Sequence, residues 1–134
     1  MSQGKPGAGP SRPLSPHLQV WRWHVTMLTS ILTRATGVAL YVGALILAGW
    51  AIALASGEDA FIAYTGMLGT PLGLLVMFGL TLALYFHLAA GIRHLFWDAG
   101  TGLAPKTADL TGVASIGFAV VATIATWVIA AMTG

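Results

Sequence analysis

The sequence predicts an all-α membrane protein in which three transmembrane helices follow an N-terminal interfacial segment. Of its 134 residues, 57% are hydrophobic and only 7% are charged, whereas soluble domains carry about 25% charged residues. The mean hydropathy is +0.83, so the apolar side chains cannot all lie in a core, and most of the surface is expected to face lipid. Long uncharged runs alternate with short polar loops, as expected for several spans.

Residues 1–28 are predicted to be a cytoplasmic arm that ends in the interfacial segment. The first 16 are rich in Gly, Pro and Ser and show no periodicity, which is typical of an extended arm. They also lack the apolar core of a secretory signal. Trp21 and Trp23 follow, and such amphipathic rings favour the headgroup region of a bilayer.

Residues 29–134 are predicted to form the transmembrane anchor, and its first helix is expected at about 29–56. Between Arg34 and Glu58 lie 23 residues without a formal charge. At about 1.5 Å per residue, this run crosses a hydrocarbon core of about 30 Å.

The second and third helices are placed by their start signals. Proline is favoured at the first helical position, so Pro71 predicts helix two at about 71–97. Asp109 follows a polar loop and is an expected N-cap, which predicts helix three at about 110–132.

The charged residues predict the orientation of the chain in a bacterial cytoplasmic membrane. All six basic residues fall on one side of the predicted spans, while the opposite loop, near Ser56 to Thr65, contains Glu58 and Asp59 but no Lys or Arg. The positive-inside rule then predicts a cytoplasmic N-terminus and a periplasmic C-terminus. The apolar surface of the spans is expected to contact membrane lipid, and no nucleic-acid partner is expected.

The absence of cysteine excludes three kinds of chemistry on this chain. There is no disulfide framework, no cysteine-ligated iron–sulfur cluster and no C-x-x-C-H motif for covalent haem attachment. We also find no nucleophile–base arrangement and no phosphate loop in the sequence.

Two histidines of the predicted second helix share one face. His87 and His94 are seven residues apart, with Gly91 between them, and Ala90 and Gly91 reduce the bulk of that face. A flat macrocycle can lie against such a surface. From spacing alone, His87 is either a haem or metal ligand or a buried histidine that is hydrogen-bonded to a neighbouring helix.

The spacing limits how a haem can be ligated. His87 and His94 are about 10.5 Å apart along one helix, so they cannot bind opposite faces of the same iron. The other histidines, His17 and His24, lie in the predicted surface segment. A six-coordinate b-type haem would therefore take its second ligand from another polypeptide, which predicts a hetero-oligomer.

Polar residues at the inner end of helix one are candidates for a second role. Ser30 and Arg34 lie on one face, four residues apart. Arg34 is suited to pair with a haem propionate or to hydrogen-bond a quinone carbonyl; the alternative is a snorkelling arginine that fixes topology. Ser30 is suited to donate to a quinone oxygen, or it bonds to its own helix.

The inner end of helix two contains further polar residues. Arg93 and Asp98 are expected to form its charged rim, and Trp97 is expected to be an interfacial aromatic. His94 either faces a propionate or forms a hydrogen bond at the interface.

Three sequence blocks resemble the cytochrome b membrane-anchor subunits of succinate dehydrogenase, respiratory complex II. They are RPLSPHLQVWRW (Arg12 to Trp23), SILTRATGVAL (Ser30 to Leu40) and HLAAGIRHLFWDAG (His87 to Gly100). The blocks occur in the order found in that family, and the three predicted helices match its layout.

The resemblance implies a subunit that is not catalytic alone. In this family a flavoprotein oxidises succinate, an iron–sulfur protein passes electrons to ubiquinone, and two small anchor subunits share one haem b. By motif, His87 matches the haem-ligating histidine, and Ser30, Ile31 and Arg34 match the quinone pocket. Arg34, with Gly91 and His94, is expected near the haem and its propionates.

One residue departs from the family pattern, and two alternatives remain open. Thr33 stands where many relatives have histidine, so the role of that histidine near the propionates does not carry over. The alternatives are the anchor of a fumarate reductase, which runs the same chemistry in reverse, and a membrane scaffold or transporter subunit without a cofactor.

Overall fold

A computed structural model of the chain describes residues 22–133, and this part consists of four α-helices with no strand. The helices are α1 (Val25–Ser56), α2 (Glu58–Leu68), α3 (Pro71–Asp98) and α4 (Pro105–Thr133). Three of them, α1, α3 and α4, are long and apolar enough to cross a membrane. The predicted all-α class with three transmembrane helices is therefore confirmed.

The predicted arm and the beginning of the interfacial segment, residues 1–21, lie outside the described residues. Residues 22–24 have no regular structure, and α1 begins at Val25 with His24 in the extended N-cap position. The helix starts four residues earlier than expected because no glycine or proline interrupts Val25–Leu28.

The outer loop expected near Ser56 to Thr65 is instead largely helical. Gly57 has φ +114°, a conformation that glycine adopts without strain, and it separates α1 from α2. Glu58 and Asp59 occupy the first turn of α2, where carboxylates interact favourably with the helix dipole. The charge pattern that predicted a loop is thus also a helix-start signal.

The start of α3 agrees with the sequence, whereas that of α4 does not. Thr70 accepts a hydrogen bond from the Gly73 amide at 3.1 Å, and Pro71 is the first helical residue. The expectation that Asp109 caps helix three is wrong, since α4 begins at Pro105. A proline is favoured at the first helical position, so Pro105 starts the helix before Asp109 is reached.

Small residues hold the helices together. The buried apolar side chains of residues 22–133 are those of Phe86 and five alanines, Ala53, Ala83, Ala90, Ala108 and Ala119. Such residues let helix backbones approach closely in a membrane. Helix α3 packs on both α1 and α4, while most large apolar side chains of these helices stay exposed for lipid or other chains.

The position of Ala90 corrects one expectation. Ala90 is only 1% exposed and packs with Phe86 and Ala119 in the core. It therefore lies on the buried face of α3 and does not belong to the open surface between the two histidines, which Gly91 forms without it.

Candidate functional site

The His87 side chain is held against α1. Its Nδ1 atom lies 3.1 Å from the hydroxyl oxygen of Thr36, and the ring is half-buried. A Cβ atom placed on Gly37 would lie 3.4 Å from His87 Cε1, so the α1 backbone is in close contact with the imidazole. The close approach of α3 to α1 thus fixes one edge of the His87 ring.

The contacts of the Thr36 hydroxyl indicate which nitrogen of His87 carries the proton. This hydroxyl lies 2.7 Å from the Leu32 carbonyl of its own helix, closer than its other contacts. Because a carbonyl only accepts and a hydroxyl has one hydrogen, the oxygen of Thr36 accepts from His87 Nδ1–H. The Nε2 atom is then the unprotonated nitrogen, with its lone pair available.

The Nε2 atom of His87 is at the surface of the chain. It has no hydrogen-bond partner in the part of the chain that the structure describes. Within the same residues, no buried side-chain nitrogen or oxygen lacks a partner, so Nε2 is not among the buried atoms. An exposed lone pair on a membrane-spanning helix is suited to a ligand supplied from outside this chain.

Open space lies beside this imidazole. Gly91 is exposed, and a Cβ atom added to it would meet nothing within 4 Å. None of residues 22–133 therefore fills the space next to Gly91, one helical turn from His87. A flat group bound at Nε2 would have room to lie there.

The predicted residues of α1 form an exposed stripe that leads to this site. Ser30, Arg34 and Gly37 follow one another at the spacing of a single helix face, and Gly37 contacts the His87 ring. Ser30, Ile31 and Arg34 are all exposed. Thr36 itself lies on a different face from Arg34, because positions two residues apart are separated by about 200° around the helix axis.

Ser30 differs from the other hydroxyl-bearing residues of the helices. Beyond the first turns of the described helices, every other serine and threonine hydroxyl donates to a carbonyl of its own helix. The Ser30 hydroxyl makes no such bond, and Arg34 has no hydrogen-bond partner in residues 22–133. Both groups are therefore free to bind a ligand, which disfavours the alternative of a back-bonded Ser30.

The expectation that Arg93 belongs to the charged rim is wrong. Arg93 is 7% exposed, and its guanidinium donates to Thr111 at 3.1 Å, to Thr29 at 3.3 Å and to the Ala108 carbonyl at 2.8 Å. It also lies 4.0 Å from the centre of the Trp97 ring. Asp98, at the end of α3, is exposed as expected.

A periodic signal for the burial of Arg93 was present in the sequence. Phe86, Ala90 and Arg93 are spaced at i, i+4 and i+7, so they share one face of α3, and the structure buries all three. A Cβ atom on Gly112 would lie 3.2 Å from Thr29 Cγ2. Glycine at this position therefore lets α4 approach α1 beside the guanidinium.

His94 and Trp97 have hydrogen bonds within the chain. The Nδ1 atom of His94 lies 2.6 Å from the Ala90 carbonyl, to which it must donate, and the ring is exposed. Trp97 donates from Nε1 to the Gly102 carbonyl at 3.2 Å, and the two rings meet edge to face at 5.0 Å. Trp97 thus ties the end of α3 to the loop that follows it, and the exposed His94 ring packs against the Trp97 ring.

These features fit a haem better than a metal ion held by several side chains. No group of three or more His, Cys, Asp or Glu residues in the described range is arranged to hold a metal. A haem shared with a second chain would need only one ring nitrogen from this chain, and His87 offers an unbonded Nε2 while its Nδ1 is anchored to Thr36. The open surface at Gly91 matches a flat group that a second chain would cover.

Comparison with known proteins gives consistent results. Residues 9–126 match the family model described as the succinate dehydrogenase/fumarate reductase transmembrane subunit. The chain is 40% identical over 119 residues to the succinate dehydrogenase cytochrome b556 subunit of Paracoccus denitrificans, an alignment that covers 89% of this chain and 92% of that protein.

Two further relatives extend the likeness. The cytochrome b556 subunit of succinate dehydrogenase from Rickettsia bellii is 38% identical over 117 residues, which are 87% of this chain and 91% of that protein. The mitochondrial cytochrome b560 subunit of succinate dehydrogenase from Mus musculus is 36% identical over 118 residues, which are 87% of this chain and 70% of that protein.

Proposed function

The chain belongs to the succinate dehydrogenase/fumarate reductase transmembrane subunit family, and we propose that it is the cytochrome b anchor of a succinate:quinone oxidoreductase. In this role it holds one face of a haem b and contributes to the site at which ubiquinone is reduced. The observation that carries the proposal is His87, whose Nδ1 is anchored to Thr36 at 3.1 Å while Nε2 remains open.

His87 is the proposed axial ligand of the haem. A neutral imidazole binds iron through the nitrogen that lacks a proton, and here that nitrogen is Nε2. Bound haem would supply a centre that takes up and releases one electron, with a potential set by its ligands and surroundings. The chain's own contribution is to orient the imidazole and to leave room beside Gly91.

A second small anchor subunit is proposed to complete the site. His94 lies on the same helix as His87, and its Nδ1 already donates to the Ala90 carbonyl at 2.6 Å. The haem would lie against the open surface beside His87 and Gly91, and the second ligating histidine is proposed to come from that partner. His94 and Arg34 are proposed to lie near the propionates, where Arg34 contributes a positive charge.

Ser30, Ile31 and Arg34 are proposed to line part of the ubiquinone site. The hydroxyl of Ser30 and the guanidinium of Arg34 have no partner within residues 22–133. As donors beside a quinone, they would stabilise the negative charge that develops on its oxygens during reduction. Ile31 is 46% exposed and would contact the apolar part of the ring.

The remaining partners and the location follow the same proposal. The iron–sulfur and flavoprotein subunits would dock on the cytoplasmic side of a bacterial inner membrane, where the orientation rule places Ser30 and Arg34. Succinate oxidation itself is proposed to take place on the flavoprotein subunit. Electrons would reach the quinone site from the iron–sulfur partner.

The haem role is tested by the spectrum of the purified complex. His87→Ala is expected to lose the b-type Soret and α bands of the reduced-minus-oxidised spectrum and the matching pyridine haemochrome. His24→Ala is the matched control, because it removes an exposed histidine that precedes α1 and has no proposed role at the haem, and it is expected to keep both bands. Unchanged haem content in His87→Ala would show that the ligand assignment is wrong.

The quinone role is tested by comparing two electron acceptors. Arg34→Ala is expected to lower succinate-to-ubiquinone turnover by about tenfold or more, the loss of one stabilising donor, while succinate oxidation by an artificial dye is spared. Lys106→Ala removes an exposed basic residue near the start of α4 and serves as the charge control. Equal loss, or no loss, in both assays for Arg34→Ala would contradict the role.

The direction of the reaction is measured on the same complex. The matching family model is described for both succinate dehydrogenase and fumarate reductase subunits, whereas the relatives above are named for succinate dehydrogenase. We therefore propose succinate oxidation. Faster fumarate reduction by reduced quinone than succinate oxidation by quinone would favour the reverse role.

A further inference from the structure

We propose that Thr36 is a positioning residue that fixes the tautomer and orientation of His87 and thereby tunes the haem. This inference rests on the proposed haem role of His87. Thr36 lies on a different face of α1 from Arg34, and it acts through the 3.1 Å contact between its hydroxyl oxygen and His87 Nδ1.

The Thr36 hydroxyl is prepared for this role by its own helix. Its hydrogen is directed to the Leu32 carbonyl at 2.7 Å, with the Thr33 carbonyl at 3.1 Å. The oxygen is left to accept, so it selects the Nδ1–H form of His87 before any ligand binds at Nε2. Helix packing therefore pre-organises the His87 imidazole, because the absence of a side chain at Gly37 lets the α1 backbone lie against the same ring.

The chemical nature of the acceptor sets the expected electronic effect. Hydrogen-bond acceptors behind a ligating histidine fix its ring and raise its basicity. A hydroxyl is a neutral acceptor, so it polarises the N–H bond less than a carboxylate does. The imidazole would keep a neutral character and would stabilise the oxidised iron less than a carboxylate-bound histidine.

Removing the acceptor should weaken this donation further and move the haem potential in the positive direction. Thr36→Val keeps the β-branched shape but removes the hydroxyl. We expect a change of about tenfold in the reduction equilibrium of the haem, which is 59 mV for a one-electron couple. The largest g-value of the oxidised haem should also shift, because the imidazole plane is no longer fixed.

Two further variants separate positioning from general damage. Thr36→Ser restores the oxygen and is expected to return the potential and the g-value to those of the wild type. Thr123→Val is the matched control: Thr123 is 1% exposed and bonds only to its own helix, at the Ala119 carbonyl. The haem potential and the largest g-value of the Thr123→Val variant should equal those of the wild type.

The decisive experiment is a redox titration of the haem in the purified complex, with low-temperature electron paramagnetic resonance. If Thr36→Val does not assemble, Thr36→Ala takes its place against the same serine rescue. A wild-type potential and wild-type g-values in the variant that lacks the hydroxyl would overturn the role of Thr36. So would a potential and g-values of Thr36→Ser that differ from those of the wild type. Retention of haem in His87→Ala would instead overturn the ligand assignment, so the two failures are distinguishable.

Discussion

The guanidinium of Arg93 on α3 donates a hydrogen bond to the hydroxyl of Thr29 on α1 at 3.3 Å, across 64 positions of sequence. The same guanidinium bonds to Thr111 and Ala108 on α4, so one side chain joins all three transmembrane helices. Arg93 is six residues from His87, and the proposed ligand is therefore mounted on a helix that is fixed nearby on both sides.

Replacing Arg93 should destabilise the subunit. Arg93→Ala removes three interhelical hydrogen bonds, which at about 0.6 kcal/mol each in membranes are worth roughly 2 kcal/mol. Arg93→Lys should lie between this variant and the wild type, because an ammonium group lacks the planar fork that reaches several acceptors. The midpoint of thermal unfolding of the detergent-solubilised complex measures the order.

Lys106→Ala is the control for the loss of a basic side chain. Lys106 is exposed near the start of α4, and its replacement should leave the unfolding midpoint unchanged. If Arg93→Ala were as stable as Lys106→Ala, the buried network would not hold the helices together.

The contact between Gly49 and Tyr64 should not tolerate a larger residue. A Cβ atom on Gly49 would lie 2.6 Å from the Tyr64 oxygen, whose hydroxyl donates to the Ile46 carbonyl at 2.8 Å. Gly49→Ala must push the Tyr64 side chain away from its bond to α1 and is expected to cost about 1–3 kcal/mol, as overpacking does elsewhere. Accelerated proteolysis near Gly57 and a lower unfolding midpoint would show it.

Two variants test the cause of that effect. Gly79→Ala places the same methyl group where nothing lies within 4 Å, and it should be neutral or stabilising because alanine favours a helix. Gly49→Ala combined with Tyr64→Phe should recover part of the loss, since the nearest atom is removed. No difference between Gly49→Ala and Gly79→Ala would contradict the packing of α2 on α1.

The transmembrane helices could be predicted because their signals are local. Charge-free length, Pro71 as a helix start and the position of His87 depend on composition and spacing within one segment. Helix α2 was missed because Glu58 and Asp59 have two meanings, as loop charges and as favourable residues for a first helical turn. The start of α4 was misplaced because Pro105 is an earlier start signal than Asp109.

The partners of the polar side chains could not be predicted from the sequence alone. Arg93 was assigned to a rim because an arginine near a helix end usually snorkels to the interface. Its burial depends on acceptors from α1 and α4, whose register relative to α3 is set by tertiary packing. The bond from His87 to Thr36 is hidden for the same reason, although both residues lie within recognisable sequence blocks.

The open surface beside His87 should be sensitive to bulk at Gly91. Gly91→Leu projects a side chain into space that no described residue fills, so the chain itself should remain stable. The proposed haem would lose its room, and we expect haem content per complex to fall at least tenfold, within the range reported for disturbed metal-ligand surroundings. Pyridine haemochrome analysis of the purified complex measures this loss.

Gly79→Leu is the matched control for this effect. Gly79 lies on the same helix, and a Cβ atom there also meets nothing within 4 Å. Haem content should stay near that of the wild type in this variant. A similar haem loss in both variants would mean that bulk on α3 disturbs assembly generally and that the Gly91 surface has no special relation to the haem.

The predicted orientation can be tested with single cysteines because the chain has none of its own. Asp59→Cys on α2 and Asp98→Cys at the end of α3 are both at exposed positions, and α3 separates them across the membrane. If the N-terminus is cytoplasmic, a membrane-impermeant maleimide applied to intact spheroplasts should label Asp59→Cys and spare Asp98→Cys.

Inverted vesicles provide the converse experiment, in which Asp98→Cys should become reactive. Because docked subunits can shield this position, vesicles stripped of those subunits are measured as well. Labelling of Asp98→Cys in spheroplasts, with Asp59→Cys protected, would reverse the orientation and place Ser30 and Arg34 on the side away from the proposed iron–sulfur partner.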